Sequence, residues 1–175
     1  MQNILRVELS HFTADPTFEQ LNNSLPYLDA VMKETLRLHP PVSETIRYVS
    51  LLNFYLFSLQ YNIFQAASDE IIPLSEPFTT QQGDIVDRIQ VAAGTTVGVS
   101  IRVINKSKAI WGKDAHEFMP GRWIASEASI PDTVKEIHGY LHLLTFVDGP
   151  RACLGRQFAV MEFKVPFIYD LALKL

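Results

Sequence analysis

Cysteine is nearly absent from this chain: Cys153 is the only one among 175 residues. A lone thiol excludes an internal disulfide framework and says little else about compartment. Charge of one sign is scarce as well. The formal net charge is −4, which gives no general affinity for polyanions and excludes nucleic acid as an expected partner. No internal repeat or low-complexity tract is present. Met1 to Ser10 lacks a basic flank joined to an apolar run. The expectation is therefore neither a signal peptide nor a membrane anchor at this end, which would leave the chain as written in the cytoplasm. What is plentiful is apolar side chain, 47% of residues, enough for one globular core.

One absence is local. No charged residue occurs from Tyr48 to Ser68, where Leu, Phe and Tyr dominate. The length would admit a membrane-spanning helix. Asn53, Gln60, Asn62 and Gln65 lie inside it, and each is costly in lipid, so a span is not expected.

Local signals predict a mainly helical chain with small β segments. Met1 to Ser10 reads as the end of a helix, and Thr17 as the cap of a short one through Leu21. Ser24 is a good N-cap and Pro26 suits a first turn. Leu25, Leu28, Met32, Thr35 and Leu36 then recur at helical spacing until His39-Pro40-Pro41 ends the helix. Ile85 to Ile89 with Val91, and Thr95 to Val99, read as strands around Ala93-Gly94. Asp114 to Phe118 reads as a short helix, Pro120-Gly121-Arg122-Trp123 as irregular, and Pro131 to Tyr140 as loop. Arg156 to Phe163 reads as a helix that Val165-Pro166 should break or kink.

The most informative residues surround the cysteine. Phe146-Val-Asp-Gly149-Pro-Arg151-Ala-Cys153-Leu-Gly155 has the form Phe-x-x-Gly-x-Arg-x-Cys-x-Gly. At about 5% usage per residue type, such a match arises by chance in on the order of one in ten thousand chains of this length. Each residue suits one task in holding a haem through sulfur. Cys153 supplies a thiolate, a strong anionic donor to haem iron. Gly149 and Gly155 let the backbone turn and approach a flat ring. Arg151 offers a permanent cation to a haem carboxylate, and Phe146 an apolar wall. The N–H groups at the start of the next helix would face the sulfur.

A second constellation is Glu34 and Arg37, three apart on one helical face, with Thr35-Leu36-Arg37-Leu38-His39-Pro40-Pro41 running into Val42. The cysteine loop resembles that of the cytochrome P450 family. The Glu34 string resembles the K helix of that family and the turn after it. Leu25-Pro26-Tyr27-Leu28-Asp29-Ala30-Val31 is similar to the start of that helix. Thr95-Thr96-Val97 and Ile104-Asn105-Lys106-Ser107 are similar to its β segment, and Pro120-x-Arg122-Trp123 to the segment before the cysteine loop. The wording is nearest to fungal microsomal members, and the resemblance covers nearly everything except Tyr48 to Ser68.

The resemblance implies a fold: the C-terminal part of the cytochrome P450 fold, with K helix, β hairpin, meander, cysteine-ligand loop and L helix, incomplete, as a single partial haem-binding domain over 1–175. It implies haem b (iron protoporphyrin IX) with Cys153 as axial iron ligand. Arg47 would be a further cation near a propionate, Val42 to Ile46 would touch substrate, and Glu34 would bridge Arg37 and Arg122 as a structural lock. It implies a monooxygenase that inserts one oxygen atom from O2 into a small hydrophobic substrate. Electrons would come from NADPH through a flavoprotein, NADPH-cytochrome reductase, at the endoplasmic reticulum membrane for a complete member. Complete members are more than twice as long. For the chain as written the favoured expectation is instead a non-catalytic truncated fragment, inactive alone, that binds haem weakly or not at all. A cysteine hydrolase pairing Cys153 with His11, His39, His116, His138 or His142 has no local signature to support it. Residues 48–68 interrupt a connection that the family makes short. They read as a non-family insertion, a translated intron whose opening signal can be encoded from within the Arg47 codon and whose closing one can be encoded at Ala67-Ser68.

Overall fold

The computed structural model describes residues 2–12, 15–46, 64–65, 68–124 and 130–172. Helices and small antiparallel sheets build two units, residues 1–43 with 101–175, and residues 44–100.

In the first unit, α1 (Gln2–Leu9) turns its buried Leu5 and Leu9 inward. The expected cap at Thr17 starts α2 (Phe18–Asn23). The Thr17 hydroxyl accepts from the Gln20 amide, and the Gln20 side chain accepts from the Thr17 amide, which satisfies two otherwise unpaired donors. Ser24 does not cap the next helix as its residue type suggested; it closes α2, and α3 (Pro26–Leu38) starts from Leu25 without a side-chain cap of its own. A distant carboxylate does that work. Glu8 accepts from the Tyr27 and Leu28 amides at 2.7 and 2.9 Å, placing negative charge at the positive end of the helix. Leu5, Leu9, Leu21, Leu25, Leu28, Val31 and Ile168 form one core.

The segment after residue 100 corrects the expectations. Ile104-Asn105 does not belong to a β segment: Ile101–Asn105 is a short helix, α4, followed by α5 (Lys108–Trp111). Residues 114–118 are turns rather than a helix, Pro120–Trp123 is a 3₁₀ turn, and Asp132–Lys135 forms α6. Four-residue turns carry too little periodicity to show in sequence. Trp111, Ala115, Val134 and Leu143 make a second core. The last helix, α7 (Arg156–Ala172), runs through Pro166 instead of breaking there. Proline forfeits one helical hydrogen bond, but buried Val160, Lys164 and Ile168 recur at helical spacing on both sides of it. The Lys164 ammonium lies 2.5 Å from Asp29 and donates to the Leu21 carbonyl at 2.6 Å, tying α7 to α3 and α2.

In the second unit, β1 (Thr45–Ile46) and β2 (Phe64–Gln65) flank β5 (Thr96–Val99), in the order β1-β5-β2. β4 (Ile85–Val91) pairs with β3 (Glu70–Thr79), in register Ile72 to Ile89 and Thr79 to Ile85. The hairpin therefore joins β3 to β4; the two strands expected around Gly94 do not pair with each other. Pro73 and Pro77 hid β3, because proline is absent from central strands yet tolerated at edges and bulges, and the register shifts between Pro73 and Phe78. Among the described residues no helix is long and apolar enough to cross a membrane.

Candidate cofactor site

Phe146 to Gly155 forms a loop closed on itself. The Cys153 amide donates to the Phe146 carbonyl at 2.9 Å, and Gly149–Arg151 makes a 3₁₀ turn inside it. Gly149 has φ +75°, in the left-handed region where glycine alone is unstrained. Gly155 is not in that region, and a Cβ there would make only ordinary contact, 3.9 Å, with the Cys153 Sγ. The turning role thus falls to Gly149. Val147 also takes a left-handed φ, 58°, which is a genuine outlier for a β-branched residue. Cys153 is exposed. Leu154, next in the chain, and Phe158, in the first turn of α7, are 102% and 71% exposed, so apolar side chains are presented at the N-terminal end of α7.

Tyr140 reaches both ends of this loop. Its ring meets Phe146 edge-on with centroids 5.8 Å apart, and the Arg156 guanidinium lies 4.6 Å from its centroid, a cation–π distance. Burial raises the Tyr140 hydroxyl above its ordinary pKa; Arg156 opposes this and Asp29 adds to it.

The Glu34 carboxylate lies in the same unit, fully buried with Arg37. Its Oε1 accepts from Arg37 Nη2 at 2.8 Å, Arg122 Nε at 3.1 Å and the Met119 amide at 2.9 Å. Its Oε2 accepts from Arg37 Nε and the Trp123 indole, both at 2.9 Å. The remaining Arg37 donors go to the carbonyls of Asn105, Ala115 and Glu117, so every N–H of that guanidinium has an acceptor. Burial alone would raise the Glu34 pKa; the bonds from Arg37, Met119 and Trp123 outweigh it and hold the carboxyl below its ordinary range. Arg37 also packs 5.0 Å from the Trp111 ring centroid.

Glu34, Arg37 and Arg122 therefore meet, and Phe146, Gly149, Cys153 and Gly155 share one loop. Of Arg151 only the backbone is described, and Arg47 lies outside the described residues. Sequence reading passed over the Trp123 indole as a ligand of Glu34, and over Asn105 and Thr145, which join that centre to the loop. The Pro-x-Arg-aromatic pattern held a signal for Trp123; for the other two, nothing in the sequence pointed to the contact between them.

A sequence model of cytochrome P450 matches residues 1–52 and 70–169. This chain belongs to the cytochrome P450 family. Cytochrome P450 monooxygenase claW of Ampulloclitocybe clavipes is 49% identical over 94% of this chain and 27% of its own length. Cytochrome P450 monooxygenase claU of the same fungus is 50% identical over the same shares. Cytochrome P450 monooxygenase 205 of Postia placenta is 42% identical over 94% of this chain and 26% of its own length. The chain thus spans about a quarter of these fungal relatives. Membership of the P450 family implies haem. The donor set fits it: one exposed thiol, a glycine turn, and an apolar surface at Leu154 and Phe158.

Proposed function

We propose that these residues form the haem-thiolate part of a monooxygenase that inserts one atom of O2 into a small hydrophobic substrate. Electrons come from NADPH through a flavoprotein reductase, and the reaction takes place at the endoplasmic reticulum membrane. The carrying observation is the exposed Cys153, held by its own loop at the start of a 17-residue helix. A helix N-terminus favours an anionic ligand. A thiolate-bound haem supplies electron density that favours O–O cleavage. Cys153 would hold the iron of haem b, Arg151 and Arg47 would pair its carboxylates, and Phe146 would wall the sulfur. In family terms α3 is the K helix, the stretch to Thr145 the meander, and α7 the L helix. Glu34, Arg37 and Arg122 hold the meander and touch no substrate.

All the relatives named are monooxygenases, and nothing among them favours the remnant or the hydrolase. Residues 48–68 are read as an insertion, supported by a family match that skips 53–69. The test is the spectrum of the reduced, carbon-monoxide-bound protein. The wild type should show the red-shifted Soret band of thiolate ligation, and Cys153→Ser should lose it. The same spectrum from both would sink the assignment.

A further inference from the structure

Thr145 stands immediately before the cysteine loop and is 8% exposed. Its hydroxyl has two partners on two other elements. It donates to the Leu36 carbonyl of α3 at 2.9 Å and accepts from the Asn105 side-chain amide of α4 at 3.1 Å. A hydroxyl has one proton. With that proton on Leu36, Asn105 must present its NH2, so the amide orientation is determined. Asn105 is fully buried. Its Oδ1 accepts from no described group, so the bond to Thr145 is what its side-chain amide has among the described residues. Its backbone carbonyl meanwhile accepts from Arg37 at 2.8 Å.

One residue beyond Thr145, the Phe146 carbonyl receives the Cys153 amide. The residue after that is Val147, in its strained left-handed φ. Such strain persists only where the surroundings over-determine the backbone. We infer that the Thr145 hydroxyl is a positioning residue for the cysteine ligand. It pins the start of the loop to α3 and α4, so that the Phe146 carbonyl holds Cys153 where iron is to be met. The inference rests on Cys153 being the ligand. It extends the buried Glu34–Arg37 centre, through Asn105, to the sulfur loop.

Two substitutions separate positioning from space-filling. Thr145→Val keeps the shape and loses the hydroxyl; Thr145→Ser keeps the hydroxyl and loses a methyl. The readout is the ratio of thiolate to non-thiolate Soret bands in the reduced, carbon-monoxide-bound holoprotein, in its longest natural form. Positioning requires Thr145→Ser to match the wild type and Thr145→Val to lower the ratio about tenfold, the effect of losing one buried hydrogen bond. If Thr145→Val takes up no haem, amide exchange in the haem-free chain decides. The Cys153 amide should exchange about tenfold faster in Thr145→Val than in the wild type or Thr145→Ser. An unchanged ratio in Thr145→Val, or Thr145→Ser as impaired as Thr145→Val, overturns the inference. A wild type without a thiolate band, like Cys153→Ser, shows instead that the ligand assignment itself is wrong.

Discussion

Val147 holds a φ of 58° in the middle of the cysteine loop, a conformation that costs an L-residue roughly 1–2 kcal/mol. Asparagine tolerates it better. Val147→Asn should therefore raise stability by about 0.5–1 kcal/mol, read as a higher denaturation midpoint; a lower midpoint would show that half-buried apolar contact outweighs the strain. Glu34 presents the opposite case, a buried charge whose partners cannot be replaced. Glu34→Ala takes the carboxylate from buried Arg37 and leaves Arg122 only the Asp114 carboxylate at 3.7 Å, and should cost about 3 kcal/mol. Unchanged thermal stability would make Glu34 incidental. Its pKa is lower folded than unfolded. The stabilisation is therefore complete above the unfolded value and is lost as pH falls through the lower folded one. Acid titration of stability should lose this component in Glu34→Gln.

Among the elements, α7 has a proline in its interior and continues past it. Pro166 is exposed, so Pro166→Ala restores a backbone donor without touching the core. It should stabilise the helix by about 1–3 kcal/mol, visible as slower amide exchange after residue 162. No change in exchange would mean that the backbone there does not gain the bond. The α3 helix begins on a borrowed carboxylate, Glu8, rather than on the serine nearest to it.

For the whole molecule, the apolar segment 48–68 is the test of the insertion reading. Its residues 64–65 pair with β5, a two-strand contact too short to stabilise much by itself. Deleting 48–68 should give a more soluble protein, because a long apolar run without charge promotes aggregation. Spliced transcripts should lack it. Its presence in mature messenger, with a less soluble deletion variant, would make it a native element.

The family, the cysteine loop, the Glu34–Arg37 spacing and the α3 helix were legible in the residues alone, because those signals are local in the chain. The Glu34 contact to Arg122 was available only through the family pattern, since 88 residues separate them. The tertiary structure was needed to establish that Glu8 caps α3, that β3 pairs with β4 despite two prolines, and that α7 survives Pro166. It alone joined Asn105 to Thr145 across 40 residues. Each of these depends on a partner distant in sequence that supplies a hydrogen bond or buries a face. No local propensity records where such a partner will come to lie.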